Sequence, residues 1–208
     1  MKLIDLSHTI TDKTMPFPGD PYPSFHKFLS VEKDFCNCYE YHTTLHTGTH
    51  VDAPLHMMND NRYVGDLDVN QFFGRGVLFD VRGKKTITLN DDDFRRIRPG
   101  DVVLFYTGCD SYFNTERYFC DYPTVAPETA QKLAETGIKM VGVDTCSLEP
   151  DIPYPIHKIL MEKDIIPLEN LTNLNQLVGL NSFWIFALPL KLEAEASQVR
   201  AVAVMEGV

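Results

Sequence analysis

Three of the chain's seven histidines and an aspartate lie in eleven residues, HTGTHVDAPLH: His46, His50, Asp52 and His56. Two imidazoles and a carboxylate form a donor set of borderline softness, suited to zinc, manganese or iron(II). An aspartate can also serve two ions, because its oxygens bind independently. These positions are all even-numbered, so an extended backbone sends their side chains to one face, with Gly48 as a gap in the row. The i, i+4 spacing of His46 and His50 also matches a helical zinc site. However, Thr47, Gly48 and Thr49 are poor helix formers, no glutamate follows His46, and Pro54 lies just beyond. One histidine in a loop is more often a hydrogen-bonded structural group than a ligand. Several in phase with an aspartate point to a shared cation, since burying that many polar groups without one is costly. Gly48 is where the chain should need room or an unusual turn.

The elements that must position these groups read as alternating helix and strand. IDLSHTI looks like a short strand, and MPFPGDPYP (residues 15–23), interrupted by four prolines, must be an ordered loop or extended arm. GVLFDV (residues 76–81) reads as a buried strand. A short helix capped near Asn90, a Pro99-Gly100 turn and a second buried strand over residues 102–106 follow. TVAPETAQKLAETG carries Pro127 and Glu128 at a helix start and Gly137 at its stop, and the strand IKMVGVD comes next. FWIFALPL (183–190) and VRAVAVM (199–205) read as two further strands, antiparallel neighbours across KLEAEASQ. The pattern predicts an α/β or α+β domain on a mixed sheet. No GxGxxG follows the first strand and no GxxxxGK[ST] occurs, so nucleotide-binding readings have no motif behind them.

With 208 residues, 44% hydrophobic and 23% charged, the chain can bury one substantial core, and no linker or repeat divides it. A formal charge of -10 argues against nucleic acid as a partner, because phosphate recognition needs a basic face. Asp5 interrupts any signal-like apolar run, and FWIFALPL is too short to cross a bilayer, so no membrane association and a cytoplasmic location are expected. The five cysteines lack paired spacing and read as reduced thiols.

HTGTHVDAPLH closely resembles the HxGTHxDxPxH signature of the cyclase family of metal-dependent hydrolases. Bacterial-type kynurenine formamidases (arylformamidases) are its best-known members, and isatin hydrolase is a more distant one. IDLSHTI, PFPGDP, VGVDTCSLEP, PLENLTNL and ALPLKLEAEASQVRAVAV resemble further segments of that family, so the similarity spans nearly the whole chain. The resemblance implies a single domain over residues 1–208, with flanking helices around a mixed, twisted and partly closed β-sheet. It implies a centre of two divalent metal ions, zinc first and manganese as an alternative. His46, His50 and Asp52 would be ligands, completed by His157 and by Glu169 twelve residues later, with His56 as catalytic acid or base. It implies a metal-activated water attacking an aryl formamide such as N-formylkynurenine, or a related lactam or lactone, and a homo-oligomer, dimeric or tetrameric. A non-catalytic member that keeps the metal shell fits the same residues.

Outside that set the sequence ranks residues weakly. His157 alone reads as an ordinary histidine beside a buried strand or turn, and Glu169 as a solvated acid, although the apolar residues around Glu169 would tend to bury it. Phe17, Tyr22 and Phe25 are candidates to stack on an aryl substrate, or equally to anchor the N-terminal arm. Asp144 and Ser147 follow a buried strand and read as supporting or turn-forming groups. Cys146 has the chemistry of a nucleophile, but no histidine adjoins it in sequence and a metal-activated water makes it unnecessary.

Overall fold

The computed structural model describes residues 1–150 and 152–205. Its strands are β1 (Lys2–Asp5), β2 (Ser24–Leu29), β3 (Cys38–His42), β4 (His50–Asp52), β5 (Phe73–Asp80), β6 (Thr86–Ile87), β7 (Val102–Tyr106), β8 (Thr124–Val125), β9 (Met140–Val143), β10 (Ile166–Glu169), β11 (Trp184–Phe186), β12 (Ala196–Gln198) and β13 (Val202–Met205). The α-helices are α1 (Val31–Asp34), α2 (Asp91–Phe94), α3 (Pro127–Thr136) and α4 (Pro155–Met161). Nine strands form one mixed sheet in the order β1-β13-β11-β5-β7-β9-β10-β4-β12. β5, β7, β9 and β10 run parallel at its centre, and antiparallel strands flank them on both sides.

This sheet has to curl. β12 is one edge and β13 lies next to the other, yet only residues 199–201 separate them in the chain. Four peptide steps reach at most about 14 Å, so the two sides must approach each other. A bridge between Ser7 and Leu171, and the bond from the Leu6 N–H to the Ala201 carbonyl, draw the far edge in. The result is a partly closed α/β sheet of the kind the resemblance implies.

Both faces of the parallel centre are covered, which is why VVLFY reads as an unbroken apolar run. Val102 and Leu104 face an inner cluster with Phe72, Leu168 and Ala203. Val103 and Phe105 face an outer one with Leu133 of α3 and Leu160 of α4. Leu133 is fully buried, and burial of such a side chain contributes about 1.5–3 kcal/mol. α3 starts on Pro127 and ends where Gly137 turns left-handed at φ +73, as its sequence predicts. Asn90 caps α2 by accepting from the Asp92 and Asp93 amides.

Several expectations are corrected. FWIFALPL is strand only over Trp184–Phe186, since Pro189 cannot donate to a ladder and Leu188 and Leu190 turn out to solvent. VRAVAVM pairs with it antiparallel as expected, but only from Val202, because residues 199–201 make the crossing. KLEAEASQ is no simple connection: it contains β12, which pairs with β4. IPYPIHKIL begins in a turn but then enters α4, which carries His157; Pro155 occupies the helix's first turn, and Ile156, Leu160 and Met161 supply its buried face.

Gly48 sits at φ +74, and a Cβ there would meet the Ile10 side chain at 2.8 Å. Gly48→Ala should therefore cost about 1–3 kcal/mol, read as a lower urea midpoint with an unchanged m-value.

Candidate metal centre and cavity

The site forms where β4 meets β10. His50 and Asp52 are two residues apart on β4 and share a face, and Glu169, the last residue of β10, is the direct cross-strand partner of His50. The even-number reading holds for that pair alone. His46 lies in the turn before β4, and His56 closes a 3₁₀ turn, Pro54–His56, so these two arrive by bends and not by pleat. The left-handed Gly48 lets the chain fold His46 back over the strand. His157 comes from the first turn of α4.

The donors fall into two groups that share one residue: His46, His50 and Asp52, and Asp52, His157 and Glu169. In each, the ligand atoms lie within 4.8 Å of one another. His50 Nδ1 donates to the Gly48 carbonyl at 2.9 Å, and His157 Nδ1 donates to Glu149 Oε1 at 3.0 Å. Each ring therefore presents its Nε2 lone pair inward. His50 Nε2 stands 3.3 Å from Asp52 Oδ1 and 3.6 Å from Glu169 Oε2, and His157 Nε2 stands 3.2 Å from Glu169 Oε1. Among the described residues, neither buried oxygen of Asp52 has a hydrogen-bond donor. Lone pairs facing lone pairs in a buried setting call for cations between them. Imidazole and carboxylate donors at these positions fit divalent metals.

Protonation follows the same geometry. Burial alone would favour neutral groups here. Yet the adjacent His50 and His46 hold the Asp52 carboxyl well below the ordinary range, and Asp52, Glu169 and Glu195 raise His46 to about 9. Against its own burial, hydrogen bonds to Glu149 and Glu169 raise His157 to about 10. Metal must displace such protons, so its uptake should be pH-dependent. His56, whose ring stacks obliquely on His46 at 4.1 Å, goes the other way: burial lowers its pKa and keeps it neutral near pH 7.

His46, His56, His157 and Glu169 border a cavity of about 350 Å³. Phe17 also lines it, edge-on to Phe119 with ring centres 6.0 Å apart. Tyr22 does not: it borders a separate surface depression with Tyr41 and Leu190. Phe25 stacks on Tyr41 in the β2–β3 ribbon, again away from the cavity. Ser147 lines the cavity, whereas Asp144 accepts from the Thr107 amide and hydroxyl and the Gly108 amide, tying the end of β7 to that of β9. Cys146 borders the cavity, but burial pushes its thiol up to about 12, which disfavours a nucleophilic thiolate.

Two groups escaped sequence reasoning. Glu149, which nothing in the DTCSLEP segment after β9 sets apart, accepts from both the ring and the backbone amide of His157. Glu195 Oε1 lies 3.6 Å from His46 Nε2, and nothing in KLEAEASQ distinguishes it from its neighbours.

A family model described as "Putative cyclase" matches residues 4–150. The chain belongs to the cyclase family. Among relatives of this family, a kynurenine formamidase of Bacillus cytotoxicus is 30% identical, over 96% of this chain and 95% of its own. An uncharacterised protein of Methanocaldococcus jannaschii is 31% identical over 99% and 100%. A solved structure described as a potential metal-dependent hydrolase with cyclase activity superimposes with TM-score 0.79 at 28% identity, covering 99% of both chains.

Removing the Glu149 carboxylate frees the His157 ring to rotate or change tautomer. Glu149→Ala should weaken metal binding by about 10–100-fold in chelator competition, with Glu149→Gln falling between it and the wild type.

Proposed function

We propose that the protein is a metal-dependent hydrolase of small aryl amides. N-formylkynurenine-type formamides are the first candidate substrates and isatin-type lactams the alternative. One observation carries the reading: two donor groups joined through an orphaned, buried Asp52 carboxylate sit at the wall of an aromatic-lined cavity, with a neutral histidine beside them. His46, His50, Asp52, His157 and Glu169 would hold two divalent ions, zinc first and manganese as the alternative, with Asp52 common to both positions. Such ions supply Lewis acidity for the carbonyl and acidify water.

The rest falls to the chain's own groups. His56, kept neutral by burial, takes a proton from the attacking water at a ring nitrogen and returns it to the departing aryl nitrogen. Phe17 and Phe119 provide an aromatic wall for the aryl ring, and the apolar lining limits competing water. The kynurenine formamidase relatives, at about 30% identity over nearly full length, favour the formamide over the lactam.

Purified protein should contain two metal ions per chain and hydrolyse N-formylkynurenine faster than isatin. His56→Gln should cut kcat by about 10²–10⁴-fold with the metal content unchanged. Well under one ion per chain, with no rescue by zinc or manganese, refutes the proposal, and faster turnover of isatin selects the lactam.

We also propose a cytoplasmic homo-oligomer. None of the five cysteines is in a disulfide, and no helix among the described residues is long and apolar enough to cross a membrane. The β2–β3 ribbon is a separate two-stranded sheet that leaves Phe25, Phe28, Tyr39 and Tyr41 exposed. An isolated ribbon of this kind is marginal in water, and a second copy would supply the missing face. Phe28→Lys with Tyr39→Lys should shift light-scattering mass from a dimer or tetramer to the monomer. A monomeric wild type contradicts the proposal.

A further inference from the structure

The cavity holds one carboxylate that the metal centre does not account for. None of its described lining residues is lysine or arginine. Of its lining carboxylates, Glu169 belongs to the metal group and Glu149 is engaged by His157, which leaves Asp20. Asp20 Oδ2 accepts from the Thr44 hydroxyl at 3.2 Å, and no cationic side chain pairs with it among the described residues. The Asp20 amide donates to the Phe17 carbonyl at 3.0 Å across Pro18 and Gly19, with Gly19 at φ +102. Proline at the second position and a positive-φ glycine at the third are the requirements of a type II turn. One stiff turn therefore presents an aromatic face, Phe17, and an anion, Asp20, to the same cavity.

We infer that the cavity recognises the positively charged end of its substrate, with Asp20 as the selecting group. The preferred ligands are aryl amides whose ring carries an aminoalkyl arm. This deepens the hydrolase reading and rests on it for the identity of the bond cleaved. A ring lying against Phe17 brings an ammonium on its acyl arm toward Asp20, where hydrogen bonding and charge attraction act in a partly desolvated setting. A carboxylate in the same place meets the like charge of Asp20, on a chain of net charge -10. In an amino-acid substrate the ammonium is held by Asp20 and the carboxylate is left toward water, so a decarboxylated analogue loses nothing in binding.

The test titrates the metal-loaded full chain calorimetrically with three ortho-acylanilines that differ only at the end of the acyl arm: ammonium, uncharged or carboxylate. The ammonium compound should bind at least about tenfold more tightly than the carboxylate, and the gap should shrink with added salt. Asp20→Asn should collapse the ratio and Asp20→Glu should largely retain it. Equal or tighter binding of the carboxylate by wild type, from whatever cation it arises, overturns the inference. So does a ratio that survives Asp20→Asn. Should either variant fail to fold, the wild-type ratio and its salt dependence decide alone. Failure of the hydrolase reading would appear separately, as no turnover of the matching formanilides while the anilines still bind in charge order.

Discussion

Asp52 is buried and, among the described residues, neither of its carboxylate oxygens has a hydrogen-bond donor; much of the molecule's organisation answers that constraint. An ionised carboxylate in such a place is tolerable only beside positive charge. The chain brings three histidines and a second carboxylate to it from a turn, a strand partner and a helix, and each has its own reason for being there. β4 could not carry these residues at an exposed edge. It is enclosed between β10 and β12, which removes the competing solvent that would weaken the electrostatics of the centre.

The curl of the sheet follows from the same requirement. β4 and β12 lie far from β1 in sheet order, yet the short crossing at residues 199–201 and the Ser7–Leu171 bridge pull the two sides together. Thr49 shows how tightly this is done. Its hydroxyl accepts from the His8 amide and donates to the Asn170 carbonyl, linking the N-terminal segment, the strand bearing the ligands and the end of β10. The N-terminal arm, delivered by that closure, can then place Phe17 and Asp20 over the site. The parallel centre of the sheet, covered on both faces, provides the rigid floor.

Rigidity at the ligands is local as well as global. His50 is oriented by a carbonyl two residues away, at the glycine that also turns the chain. His157 is oriented by Glu149 from the other end of the α4 approach. A hydrogen bond to one ring nitrogen decides which lone pair faces the metal, so these partners define the donor set as much as the ligands do. His56 differs in kind: burial lowers its basicity by more than the nearby Asp52 and Glu169 charges raise it, and it therefore suits proton transfer better than ligation.

HTGTHVDAPLH by itself determined the donor chemistry, because residue types suited to a borderline metal and a glycine needing positive φ are properties of the chain alone. The parallel strands and α3 were also legible, since unbroken apolar runs, the Pro127 start and the Gly137 stop are local signals. Only the tertiary structure decided how the donors meet. His46 and His56 come in through bends that no parity rule describes, and His157 rides on a helix where a strand or turn was expected. Glu149 and Glu195 matter only through the histidines that folding brings beside them, and a carboxylate's role depends on what surrounds it. Tyr22 shows the converse: an aromatic only two residues past the cavity-lining Asp20 still faces another surface, because the arm bends between them.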